Sequence, residues 1–394
     1  MKIVFLKLMV KVYAFFLRKR RLNNVLNSQS SKKVLLSYIQ QPFIMRQFGL
    51  VSFKHTNFNE AVVIAEIFEA LNYQVDVVDY NFYGKIDYSQ YDVIFGFGES
   101  FQESFSASNQ PIRIFYGTGM NVNVQNANAM LRLYDFYKRH AIWLPSSVRY
   151  IPKQWALQYS FSDSILALGN QDCVDSYERY SLKSKVYQIP SFYYQKHDAA
   201  FIIEERSKNN FRDYLWFGSS GAIHKGLDLV LDYFINNDTE QTLHVCGLIE
   251  QEHDFWKTYK DLILSRSNIQ YHGFIDIESD SFYEILLKCA FVIYPSCSEG
   301  GSPSVLNCVG NGGLLPIITR ETTIDVDESI IIDSFSESSV IRAISKANCL
   351  TQEELMEKQI LALESVQSVY TFENYKRAMK KAINETLIKT HRIC

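Results

Sequence analysis

Glu299 stands in "YPSCSEGGSPSVLNCVGNGGLLPIITRE" (residues 294–321), among small residues and between two apolar runs. The run Phe291–Tyr294 reads as a buried parallel strand and Leu314–Ile318 as a second. Between them Ser302 has the side chain of an N-cap, Pro303 suits the first helical position, and Gly310, Gly312 and Gly313 suit the helix end. A carboxylate and two glycines, Gly300 and Gly301, therefore fall where a strand passes into a helix. Helix starts offer free N–H groups, and open α/β sheets bind ligands beyond their strand ends, so a phosphate-bearing ligand fits this place. A matching feature lies upstream in "WFGSSGAIHKGLDLVLDYF" (216–234). There a strand, a turn Gly218-Ser219-Ser220-Gly221 and a helix carry Lys225, a cation able to meet phosphates without a metal.

Elements able to position such loops recur along the chain. Runs at Val34–Ile39, Gln74–Asp79, Asp92–Gly96, Ile112–Tyr116, Ser164–Leu168 and Val186–Ile189 read as strands, with helical patterns between them. A charged stretch at 197–211 closes this series. A second follows at Tyr214–Phe217, Leu243–Val245, Ile269–Tyr271, Phe291–Tyr294, Leu314–Ile318 and Ser329–Ile332. Such alternation implies parallel sheets covered on both faces, hence two tandem Rossmann-like domains facing a cleft. Residues 352–389 read as one helical stretch long enough to cross back over the first domain. The boundaries are 31–200 for the first domain, 201–370 for the second and 371–394 for the closing helix.

Composition agrees with two globular domains. The chain has 394 residues, 47% hydrophobic and 21% charged, and a net charge of −3. With no basic excess to neutralise a phosphate backbone, nucleic acid is not an expected partner. Seven cysteines show no paired spacing and read as reduced, mostly buried side chains.

The segment 1–30 is an expected amphipathic basic helix followed by a polar linker. Residues 3–17 fall short of the roughly 20 needed to span a bilayer, and Lys7 and Lys11 interrupt them. A helix lying on the membrane, with Arg18, Lys19, Arg20 and Arg21 on anionic headgroups, satisfies both of its faces. Residues 1–25 are thus the expected membrane contact, with no cleavable leader and with both domains cytoplasmic, on the inner face of the membrane.

Several motifs in order resemble one family. "PSCSEGGSPSVLN…GNGGLLPII", the Lys-Gly-Leu-Asp of residues 225–228, "NIQYHGF" (268–274) and "YTFENYKRAMKKAINE" (370–385) are similar to segments of GT-B glycosyltransferases of the retaining family-4 superfamily. The likeness covers 213–385 well. Over 34–195 it rests mainly on "HTNFNEAVVIAEIFEALNYQVDVVDY" and "YGTG". It implies transfer of a hexose from a nucleotide sugar such as a UDP- or GDP-hexose to a glycan or lipid-linked acceptor in surface polysaccharide synthesis, with no metal or other cofactor. It implies that Glu299 holds donor-sugar hydroxyls, with Lys225 and the amides near Ser304 and Val305 at the diphosphate. Gly218, Ser219, Ser220, Gly221, Gly300, Gly301 and Ser302 complete the donor site, the last glycines letting the sugar ring approach. His55, counted with the catalytic residues, and Asn57, Gly117 and Thr118 line the acceptor side.

Two departures stand out. The family's second Glu, which holds the ribose, is Asn307 here, and its loop arginine is replaced by Ser219 or Ser220, with Arg320 as the candidate substitute. Asp325-Val326-Asp327 mimics a metal-binding pattern but reads as a solvated loop. A nucleotide-sugar epimerase on the same fold and a degenerate sugar- or nucleotide-binding module are the alternatives.

Overall fold

The computed structural model describes residues 20–49, 55–180, 184–208 and 210–391. The basic segment 1–19 lies outside the described residues, so the expected membrane helix does too. None of the described helices is long and apolar enough to cross a membrane.

The first domain holds β1 (Lys33–Tyr38), β2 (Gln74–Asp79), β3 (Val93–Gly96), β4 (Ile112–Gly117), β5 (Ser164–Leu168) and β6 (Lys185–Ile189). All six run parallel in the order β2-β1-β3-β4-β5-β6. The second holds β7 (Asp213–Phe217), β8 (Leu243–Cys246), β9 (Ile269–Gly273), β10 (Cys289–Tyr294), β11 (Leu315–Ile318) and β12 (Ile330–Ile331). These are parallel too, in the order β12-β11-β10-β7-β8-β9. The central strands are apolar and buried along their whole length, because helices cover both faces of each sheet.

In the second sheet the strand order reverses between β7 and β10. The carboxyl ends of these two strands, Phe217 and Tyr294, therefore open side by side, the place where doubly wound sheets receive ligands. Lys225 follows one of them and Glu299 the other.

Three sequence expectations change. Residues 21–28 are no free linker: Leu22 pairs antiparallel with Val77, and Val25 N–H donates to the Val75 carbonyl at 2.9 Å. Apolar Leu22, Val25 and Leu26 cover the open edge of β2, which accounts for apolar residues within a polar run. The closing helical stretch is two helices, Gln352–Val369 and Phe372–His391, broken at Tyr370 and Thr371. The second of them crosses back, laying Tyr375, Met379, Ile383 and Leu387 into the first domain's core.

The third change concerns the helix Val122–His140. Its chain position gives it to the first domain, yet Leu133 and Phe136 pack into the second domain's core, as does Leu144 just beyond. Arg132, with no exposed surface, donates both Nη2 bonds to Asp228 at 2.7 Å, and Asp228 is equally buried. Arg139 pairs with Asp228 and Asp232, and Tyr259 hydroxyl donates to Asp232 at 2.7 Å. Asp228 and Asp232 lie one turn apart on the helix Leu227–Asn236, which starts just after Lys225.

Removing one partner of a buried pair strands the other charge at a cost of about 3–5 kcal/mol. Asp228→Asn is therefore expected to lower the melting temperature and to split calorimetric unfolding into two transitions as the domains uncouple. A single transition at the wild-type temperature would refute this role.

Candidate active site

Lys225 and Glu299 meet at the switch point. Lys225 Nζ lies 2.7 Å from Glu299 Oε1 and donates to the Tyr294 hydroxyl, also at 2.7 Å. Ser296 Oγ donates to the same carboxylate oxygen at 2.9 Å. Both side chains are largely buried, so neither belongs to a solvated surface. The Glu299 loop is held from outside: Glu299 N–H donates to the Glu321 carbonyl at 2.8 Å, and Thr323 Oγ1 accepts from Gly301 N–H at 2.8 Å. A rigid loop thus places one Oε1 atom on Lys225, Tyr294 and Ser296 together.

The turn Gly218-Ser219-Ser220-Gly221 does stand beside this pair, with both serines exposed. Its amides are partly spoken for. Buried Glu252 accepts from Gly221 N–H at 2.6 Å and from Ala222 N–H at 3.1 Å. This carboxylate was not evident in the sequence, because it comes from the loop after β8, in "GLIEQEHD".

The glycines of the Glu299 loop serve a contact other than the expected one. A Cβ on Gly300 would strike the Thr118 carbonyl, and one on Gly301, whose φ is +66°, would strike Ser191. Both lack a side chain because the two domains meet there. Ser302 occupies the N-cap position with a left-handed backbone, but its hydroxyl donates to the Thr322 carbonyl at 2.8 Å and does not cap the helix. The helix Pro303–Gly312 starts its backbone ladder with Leu306 N–H on the Ser302 carbonyl, so the amides of Ser304 and Val305 precede the ladder.

Asn307, expected at the ribose, is engaged within the protein. Its Nδ2 donates to the Pro303 carbonyl at 2.8 Å, and its Oδ1 accepts from Tyr194 N–H at 3.3 Å. One turn on, Asn311 accepts from Lys196 N–H at 2.7 Å and donates to the Tyr194 carbonyl at 2.8 Å. Two side-chain amides thereby dock the interdomain segment 194–196 as a neighbouring strand would.

Facing the pair from the first domain, Gly117, Thr118 and Gly119 line a cavity of about 360 Å³. Phe97, Trp155, Gln125 and Gln158 also line it, a mixture of rings and amides suited to a sugar. His55 is exposed at the start of the helix Thr56–Ala70, its ring against Phe58, and no contact joins it to Lys225 or Glu299 among the described residues. Asn57 Oδ1 is buried without a hydrogen-bond partner among the described residues. The same helix start, through Thr56 and Asn59, lines a second cavity of about 300 Å³ with Phe192 and Phe372. Asp325 accepts from Asn170 at 2.7 Å and is tied through its backbone to the Tyr370 hydroxyl, which makes it an interdomain clasp. No group of three or more His, Cys, Asp or Glu among the described residues is arranged to hold a metal ion.

The electrostatics of the site follow from burial. Burial alone would raise the Glu299 pKa, but Lys225 and then Arg149 outweigh it and bring it down to about 2. Burial lowers the pKa of Lys225, which the Glu299 charge opposes. Burial, followed by Arg149, pushes His224 down to about 4. His224 is thus neutral, with Nε2 2.6 Å from the Ser298 carbonyl and Nδ1 3.4 Å from Cys297 Sγ. A histidine depressed in the fold takes up its proton first when unfolded, so stability is full above about pH 6.5 and is lost as pH falls towards 4. The shift corresponds to about 3 kcal/mol at the acid end. Melting curves across that window should fall steeply for the wild type and less steeply for His224→Gln; parallel curves would mean that the fold does not depress the His224 pKa.

No family model matches the chain, and no curated protein matches it in sequence. Solved structures do resemble it. HepE of Anabaena, in complex with UDP and glucose, is 11% identical over 91% of this chain and 100% of its own, with a TM-score of 0.54. Sucrose-phosphate synthase of Thermosynechococcus elongatus is 10% identical over 91% of this chain and 100% of its own, with a TM-score of 0.61. WaaG, a glycosyltransferase involved in lipopolysaccharide biosynthesis, is 12% identical over 88% of this chain and 98% of its own, with a TM-score of 0.52. Identity this low speaks for architecture alone. The chain has the GT-B fold, two Rossmann-like domains with a crossing C-terminal helix.

Proposed function

We propose that this protein is a glycosyltransferase of the retaining family-4 kind that moves a hexose from a nucleoside-diphosphate sugar to a glycan or lipid-linked acceptor, as in surface polysaccharide synthesis. The observation that carries the reading is the buried Lys225–Glu299 pair at the switch point of β7 and β10, facing the Thr118 cavity. The complex of HepE with UDP and glucose gives a precedent for such a ligand on this fold.

In this reading the donor's sugar lies between the Glu299 loop and the cavity of Gly117 and Thr118. Glu299, ionised at any working pH, accepts hydrogen bonds from sugar hydroxyls and fixes the ring. Cleavage of the bond between sugar and phosphate leaves charge on the diphosphate. Lys225 and the amides of Ser304 and Val305 stabilise that charge as it develops. A lysine in this position does the work that a divalent ion would do, so the reaction is read as metal-independent.

A second reading has support of its own. Asn307 and the amides of Gly221 and Ala222 are already engaged within the protein, as expected of a module that binds a sugar or nucleotide and turns nothing over. Incubation with UDP- and GDP-sugars, with and without lipid extract, separates the two by the free nucleotide released.

Glu299→Gln keeps the size of the side chain and removes its charge. Turnover should fall by roughly a hundredfold or more in a folded protein; transfer near the wild-type rate would remove Glu299 from the reaction. Chelator should leave the rate unchanged, and a loss restored by magnesium would refute the metal-free reading.

We also read residues 1–20 as a contact with anionic membrane on the cytoplasmic face. The rest of the expected 1–25 is not part of it, since Arg21 meets Asp76 and Tyr91, and Leu22 and Val25 pair with β2. Since residues 21–28 cover the edge of β2, deletion of residues 1–18 is the informative truncation. It should leave the melting temperature in place and abolish sedimentation with anionic vesicles. Sedimentation retained by the shortened chain would exclude the segment as the anchor.

A further inference from the structure

We propose that Arg149 supplies the second cation for the donor's diphosphate, reaching across from the facing domain. The inference rests on the donor reading above and names a residue for it that neither the motifs nor the resemblance marks.

The need arises at the turn after β7. Ser219 and Ser220 stand there without charge, and Gly221 and Ala222 give their amides to Glu252. The charge of Lys225 is matched by Glu299 at 2.7 Å. A diphosphate carries more negative charge than this balance can meet. Arg320 is less well placed to repair it: it lies in the short turn Arg320–Thr322 after β11 and is not among the described residues that line the Thr118 cavity.

Arg149 is placed to do so. Its aliphatic stem lies over Gly221, with Cδ 2.8 Å from where a Cβ would sit, and the φ of +98° at Gly221 favours glycine at the turn it covers. It also lines the cavity of Gly117 and Thr118, which puts it between the donor turn and the acceptor side. The guanidinium is exposed, and among the described residues it forms no ion pair. Its field reaches the buried groups, since it helps to hold down the pKa values of Glu299, His224 and Lys225.

The segment that carries Arg149 is fastened to both domains. Leu144 is buried in the second domain's core. Asp254, at the start of the helix His253–Ser265, accepts from Ser146 N–H at 2.8 Å and from Ser147 Oγ at 2.6 Å. On the other side Ile151 and Asn126 exchange two bonds of 2.9 Å. The anchored flanks fix where the Arg149 backbone stands relative to the turn, and the planar fork of its guanidinium suits two phosphate oxygens.

Calorimetry of the full chain with UDP, GDP and the corresponding nucleosides tests this, comparing wild type, Arg149→Ala, Arg149→Lys and Arg320→Ala. The expected result is a loss of tenfold or more in diphosphate affinity for Arg149→Ala, with partial recovery in Arg149→Lys and little change for a nucleoside. Raised salt should narrow the gap. Diphosphate bound equally by wild type and Arg149→Ala overturns the proposal and leaves the donor reading standing. An equal loss for diphosphate and nucleoside also overturns it, by placing Arg149 at the base or ribose. The loss appearing in Arg320→Ala alone moves the role to that residue. A wild type that binds neither diphosphate overturns the donor reading itself, and this inference with it.

Discussion

Arg132 and Asp228 are both fully buried, and each belongs to a different half of the chain. Taking two charges out of water is costly, and the cost is offset only where geometry is close and the remaining hydrogen-bonding capacity is used. Here Nη2 of Arg132 meets both Asp228 oxygens at 2.7 Å, Nη1 meets Asp135 and Asp228 also meets Arg139, while Arg132 Nε alone has no partner among the described residues. Such a pair tolerates little displacement of one helix along the other. The helix Leu227–Asn236 begins beside Lys225, while Val122–His140 begins just past Thr118. Their ionic contact therefore sets the distance between the donor turn and the cavity facing it. Asn128 adds a bond to the Cys297 carbonyl at 2.8 Å, tying the same helix to the loop of Glu299.

A second consequence is that the mouth of the site works in a low dielectric. Lys225 keeps its proton beside Glu299, and Glu299 keeps its charge beside Lys225, each stabilising the form that burial alone would disfavour. His224 has no such carboxylate contact of its own and stays neutral, bonded to Ser298. The pair is thus a fixed dipole with no net charge to be taken out of water. A sugar hydroxyl that donates to Glu299 and a phosphate that accepts from Lys225 would each replace part of a contact already present.

The sheets were legible in the sequence because parallel strands covered on both faces must be apolar throughout, as in Cys289–Tyr294 and Ser164–Leu168. Lys225 and Glu299 were legible because each follows such a strand before a helix start. The strap that bears Arg149 was not. It is irregular, has only Leu144 and the partly buried Val148 as apolar anchors, and gains its position from Asp254, far along the chain. Ser302 and Asn307 show a different difficulty. The sequence marks each as a polar residue near a helix start, but it does not say which of several acceptors the side chain finds. Ser302 finds the Thr322 carbonyl, and Asn307 finds the backbone of the linker.

That linker gives the departure at Asn307 a physical meaning. A carboxylate there would accept from Tyr194 N–H but could not donate to the Pro303 carbonyl, as the amide does at 2.8 Å. Asn307 and Asn311 together meet the backbone of residues 194–196, Asn307 as an acceptor and Asn311 as both acceptor and donor. The amide at 307 therefore keeps the link to the interdomain segment and adds a bond within its own helix that a carboxylate would lack. Gln367 extends the link, donating to the carbonyls of both His197 and Gly310. Together with Arg132–Asp228, it holds the two domains from opposite ends of the site.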